Sequence, residues 1–122
     1  VAKATSSRVK CNILPKPVAA PPATFDAVRD GLADISFGVH GYIPGRFVLS
    51  QMVELPFTGN TAEVNSVAYQ HVYEKYLAKA NEHKGVKVLA VFTHGPGTVL
   101  NTRKPIQSLA DMQGPTFRVD GG

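Results

Sequence analysis

The 122 residues contain one cysteine, Cys11, and no tryptophan. A single thiol cannot close a disulfide within the chain, so packing and hydrogen bonding must hold the fold, and any redox compartment is compatible with it. No apolar stretch reaches the roughly 20 residues that a membrane-spanning helix needs. Like charges do not cluster: thirteen Lys and Arg are scattered among nine Asp and Glu, for a net charge of +4. Such scatter provides no track for nucleic acid. The modest positive excess still favours small anions by long-range attraction. The chain has no G-x-x-x-x-G-K-[ST] loop, no dinucleotide fingerprint, no G-x-S-x-G elbow and no internal repeat. His40 and His94 have no third ligand at a metal-binding spacing, so no metal is expected, and no cofactor. The first residue is Val1 rather than Met. The expectation is a processed or shortened product whose targeting segment, if it had one, preceded Val1.

The length suffices for one domain with a buried core. Residues 8–14, "RVKCNIL", alternate between apolar and polar and predict a half-buried strand. Four prolines within 15–22 predict an extended connector. Thr24 is positioned to cap a helix over 25–33, and "DISFG" (34–38) predicts a buried strand after it. Residues 39–47 predict a loop, followed by a short helix that ends before Pro56. Asn60 is positioned to cap a long helix running to about His83, with an apolar stripe of Val64, Val67, Ala68, Val72, Tyr76 and Leu77, and Gly85 beyond its end. "VKVLAVF" (86–92) predicts a strand covered on both faces. Ser108 should cap a short helix over 109–112, with "TFRVD" as the last strand. The rhythm is that of an α/β fold with a mostly parallel sheet flanked by helices.

In such sheets ligands bind beyond the carboxyl ends of strands. Two Gly- and Pro-rich loops leave strand ends here, 39–46 and 93–97, and each holds a histidine. This geometry points to His40, Tyr42, His94 and Gly95. Arg118 shares one face of its strand with Thr116 and Asp120. Two readings are open: a solvated arginine paired with Asp120, or a planar, permanently charged fork that grips a carboxylate. Glycines 121 and 122 would let a ligand approach the backbone.

"TFDAVRDGLADISFGVHGYIPGRFVLSQMVELPF", "YEKYL", "VKVLAVFTHGPG" and "KPIQSLADMQGPTFRVDGG" together resemble the substrate-binding proteins of TRAP transporters, the DctP-type family. The resemblance covers nearly all of the chain from Arg8 onward, in order and in spacing. It implies the first lobe of a two-lobed, type II-like periplasmic binding protein. Residues 1–115 would form most of that lobe. Residues 116–122 would be a crossover strand leading into a second lobe outside the chain. It also implies a non-catalytic periplasmic receptor that captures a small organic acid and delivers it to a membrane permease. Arg118 would bind the ligand carboxylate, and His40, Gly41, Tyr42, Phe57, Thr93, His94 and Gly95 would line the cleft wall. Two segments depart from the family pattern. "LPKPVAAPP" replaces a glycine-containing segment, and Asp120 stands where proline is common. Two other readings compete: a self-associating α/β domain, and a small hydrolase pairing His40 or His94 with Ser36 or Asp34.

Overall fold

The computed structural model describes residues 1–95 and 97–118. The chain divides into two compact units, Val1–Gly38 and Val39–Gly122.

In the first unit, a 3-10 turn at Lys3–Thr5 is stitched by Thr5, whose hydroxyl donates to the Val1 carbonyl (3.0 Å) and accepts from the Val9 N–H (3.1 Å). Pro21 and Pro22 open a second 3-10 turn, Pro21–Ala23, where missing N–H groups cost nothing. It leads into helix α1, Thr24–Arg29. Thr24 is thus the first helical residue rather than the cap, and its hydroxyl donates back to the Ala20 carbonyl. The helix stops at Arg29, short of the expected residue 33. Arg29 reaches Asp26 (2.7 Å) and Asp30 (2.8 Å), and Gly31 takes a left-handed φ of 79° that breaks the helix. Of its residues, Ala27 is buried.

In the second unit, 3-10 turns occupy His40–Tyr42 and Ser50–Glu54. The latter ends before Pro56, as expected. Helix α2, Ala62–Val72, is capped by Thr61, whose hydroxyl accepts from the Val64 N–H at 3.2 Å. Thr61 takes this role instead of the expected Asn60, because its extended backbone aims Oγ1 at that amide. The helix then widens into a π turn, Tyr73–Leu77, tightens into a 3-10 turn, Ala78–Ala80, and stops at Asn81 in the left-handed region. The inward side of this run is Tyr69, Val72, Tyr73 and Leu77, packed with Val53, Val88 and Val91. Val64, Val67 and Tyr76, expected to share the apolar stripe, are exposed. The π turn rotates the register, which keeps Leu77 inward and turns Tyr76 outward.

Residues 86–93 lie against α2 through side-chain hydrogen bonds. Gln70 Oε1 accepts from the Val91 N–H (2.8 Å), and Ser66 Oγ accepts from the Thr93 N–H (2.9 Å). The match is geometric: four helical residues rise about 6 Å and two extended residues span about 6.6 Å. Ser108 starts the 3-10 turn Leu109–Met112, as expected, its N–H and hydroxyl both donating to Asp111 Oδ2.

No β-ladder forms among the described residues. The segments 8–14, 34–38 and 86–92 run irregularly. Ile13, Ile35 and Phe37 are exposed, not buried. A strand's hydrogen bonds lie wholly on its neighbours, so an alternating sequence records which face would be covered and not whether a partner is present.

Candidate functional site

The expected site residues fall into three groups. His40, Gly41 and Tyr42 form the first 3-10 turn of the second unit and are half-buried. The Gly41 N–H donates to Glu54 Oε1 (3.1 Å), which ties this turn to the Ser50–Glu54 turn. A Cβ on Gly41 would stand 2.7 Å from Glu54 Oε2, so glycine lets the carboxylate close in. Thr93, His94 and Gly95 follow the segment held by α2. Thr93 Oγ1 donates to the Ala62 carbonyl (3.3 Å), whereas His94 and Gly95 are exposed, with His94 Nδ1 2.7 Å from the Gly95 carbonyl.

Phe57 and Arg118 stand apart from these. Phe57 is fully exposed and takes a left-handed φ of 65°. Thr58 locks that turn, its hydroxyl within reach of the Val53 (3.3 Å) and Leu55 (3.1 Å) carbonyls. A bulky residue there carries roughly 1–2 kcal/mol of backbone strain. Arg118 is exposed. Its expected partner Asp120 lies outside the described residues.

His40 is more engaged than its sequence suggests. Its Nε2 lies 2.9 Å from His83 Nε2, and its Nδ1 lies 3.2 Å from the Tyr69 hydroxyl. Tyr69 donates to the Ser50 carbonyl (3.0 Å), and the Tyr73 hydroxyl is 3.4 Å from His83 Nδ1. Phe47, almost wholly buried, packs on both imidazoles, with ring centroids 4.6 Å from His40 and 5.0 Å from His83. Burial, with the neighbouring His83, pushes the His40 imidazole down to about 4. Burial lowers His83 too, although Glu82 opposes it. Burial lifts the Tyr69 phenol to about 12.

Glu82 anchors the floor beneath this group. Its carboxylate accepts from the Leu49 N–H (2.8 Å), the Ser50 N–H (2.9 Å) and the Ser50 hydroxyl (2.7 Å). Burial alone would raise its pKa, but the three donors together hold it below the usual carboxylate value. His83 and Glu82 were not foreseen as site residues. They follow a helix end, His83 lying 43 residues from His40, and nothing in local spacing links them to it.

The hydrolase alternative finds no support in this geometry. The Ser36 hydroxyl donates to the Phe37 carbonyl, and both nitrogens of His40 are taken by His83 and Tyr69. Among the described residues no group of three or more His, Cys, Asp or Glu could hold a metal ion. Nor is any helix there long and apolar enough to cross a membrane.

A model of the family described as bacterial extracellular solute-binding protein, family 7 (DctP), matches residues 1–121. A crystal structure of a TRAP periplasmic solute-binding protein from Bordetella bronchiseptica, with bound (R)-mandelate and (S)-mandelate, is 51% identical in sequence. It superposes with a TM-score of 0.82 over 93% of this chain and 36% of its own. A Comamonas testosteroni protein, named outer membrane transporter protein TsaT, is 37% identical over 114 residues, covering 93% of this chain and 34% of that protein. The chain thus spans about a third of the length of these relatives. The similarity carries with it the α/β fold of the two-lobed TRAP receptors, a class of binding proteins and not of enzymes. The chain belongs to the DctP family of bacterial extracellular solute-binding proteins.

Proposed function

We propose that the chain forms the first-lobe wall of a ligand cleft in a TRAP-type receptor for an aromatic 2-hydroxy carboxylate. The observation that carries this is the 51% identity to a mandelate-bound receptor across 93% of the chain. Residues 1–115 make most of the lobe, and 116–122 lead toward a second lobe. In the two-lobed protein the lobe is completed as an α/β fold with a mostly parallel sheet. Arg118 grips the carboxylate as a bidentate fork. His40, Gly41, Tyr42, Thr93, His94 and Gly95 shape the wall, and Phe57 offers its exposed ring to the ligand's ring. A strained backbone that holds an aromatic ring bare to solvent supports this role. The receptor works in the periplasm and passes its cargo to membrane permease subunits. It performs no chemistry. Closing of the two lobes is a population shift toward the form that binds better.

The test is a chimaera in which these residues replace the matching 36% of the Bordetella protein. Calorimetry should show mandelate binding by the chimaera. The isolated chain, with one wall of the cleft, should bind at least 100-fold more weakly. It should also self-associate through exposed apolar side chains such as Phe37, Phe57 and Leu100, which sedimentation would report. A chimaera that folds but ignores mandelate removes the aromatic-acid assignment.

Phe57 offers a separate check. Phe57→Gly should stabilise the fold by up to about 1 kcal/mol, because glycine accepts φ of 65° without strain. It should also weaken mandelate binding by the chimaera about tenfold. Stability and affinity moving together, in either direction, would exclude the strained-contact role.

A further inference from the structure

The hydrogen bonds around His40 run in one direction. The Ser50 carbonyl can only accept, so the Tyr69 hydroxyl spends its proton there (3.0 Å). Tyr69 oxygen must then accept from His40, which places the His40 proton on Nδ1 (3.2 Å). Neutral His40 therefore presents a lone pair at Nε2. Across 2.9 Å, His83 must supply the proton from its own Nε2. That leaves a lone pair on His83 Nδ1, facing the Tyr73 hydroxyl at 3.4 Å. One acceptor, the Ser50 carbonyl, thus fixes the tautomer of both imidazoles. His83 touches no ligand position. It reaches the His40–Tyr42 turn through His40.

We propose that His83 is a positioning residue for the His40–Tyr42 wall, and that the two imidazoles form a latch that stays shut with no added proton or one, and opens with the second. With one added proton, both Nδ1 atoms carry hydrogen, Tyr73 turns its hydroxyl to accept, and one proton is shared between the two Nε2 atoms. The contact survives. With two added protons, an N–H of each ring faces the other across the same gap and the pair must part. The surroundings agree with this order. Arg46 and the partner imidazole disfavour charge on the pair, whereas Glu82 favours it; Glu54 holds the Gly41 N–H, and Tyr69 and Tyr73 flank the two rings. The consequence for ligand binding rests on the receptor reading above; the latch itself does not.

Nitrogen-detected imidazole NMR on the 15N-labelled 122-residue chain tests this between pH 8 and pH 3. At pH 8, His40 should show the Nδ1–H tautomer and His83 the Nε2–H tautomer. Acidification should give two separated steps, both below the ordinary histidine value. Protection of the Gly41 amide should persist through the first step and collapse at the second. His83→Gln, whose amide N–H₂ can still donate to His40 Nε2, should keep the His40 tautomer and the Gly41 protection. His83→Phe, which cannot donate, should lose the Gly41 protection at pH 8, while the Ser50 carbonyl, through Tyr69, still holds the His40 proton on Nδ1. Both rings as Nε2–H, a single common step near 6.5, free-peptide imidazole shifts at pH 8, or a His83→Phe chain indistinguishable from wild type would each overturn the proposal. None of these readouts involves mandelate, so a chimaera that fails to bind leaves the latch standing, and a failed latch leaves the receptor assignment standing.

Discussion

Glu82→Ala should cost the second unit about 3 kcal/mol, read as a lower urea midpoint at pH 7 with an unchanged slope. The carboxylate satisfies three donors, and two of them belong to Ser50, which is 1% exposed. Removing the acceptor leaves a buried hydroxyl and a buried N–H with nothing to bind, and that desolvation is the larger part of the loss. Glu82→Gln should fall between, since its carbonyl oxygen accepts while its N–H₂ meets donors. The pH dependence separates Glu82 from the histidines. The pKa of Glu82 is lowered by folding, so its contribution is present above the unfolded value and disappears as pH falls through the lower folded one. His40 is lowered from 6.5 to about 4, so the unfolded chain binds the extra proton first, and stability falls as pH drops through that interval. Wild type should therefore lose stability in two stages on acidification, and Glu82→Ala should lose less in the acid-most stage, to which Asp111, also lowered, still contributes. A midpoint for Glu82→Ala within 0.5 kcal/mol of wild type would mean water serves Ser50 as well as the carboxylate does.

Arg118→Ala in the mandelate-binding chimaera should raise the dissociation constant by 100- to 1,000-fold, about 3–4 kcal/mol. The estimate follows from the role proposed for it: a carboxylate taken into a closed cleft loses its water, and without a cation it stays buried and unpaired. Arg118→Lys separates charge from shape. A lysine keeps the charge and gives up the planar fork, so about tenfold should be lost. Equal affinities for Arg118→Ala and the parent chimaera would assign the arginine to the solvated face, the other reading its strand position leaves open.

How much of this is legible in the sequence depends on the range of the interaction. Ser108 and the turn it starts are local, as is the stop before Pro56, and both are found where the residues put them. The start of α2 is also local, yet Asn60 and Thr61 compete for it, and only the extended backbone of Thr61 decides between them. The π turn at Tyr73–Leu77 leaves no trace in helical periodicity, so the apolar stripe drawn at ideal spacing places Tyr76 on the wrong side. The His40–His83 contact spans 43 positions, with the Tyr73 hydroxyl 3.4 Å from His83 Nδ1 on its other side. His40 is legible as a loop histidine beside a strand end, but what holds it is not. Strand signals at 8–14 and 86–92 describe a surface waiting for neighbours, and periodicity cannot say where those neighbours are.

The way α2 holds residues 91–93 has a kinetic consequence. Parallel strands ordinarily wait for distant chain to return before their amides find acceptors, which makes such sheets slow to assemble. Here the Val91 and Thr93 amides are met by Gln70 and Ser66, only 21 and 27 positions back. Closing a loop of that size is fast and entropically modest. A helix can therefore seat this segment early, aligned and with its apolar side chains already sorted between core and solvent, before any second strand reaches it.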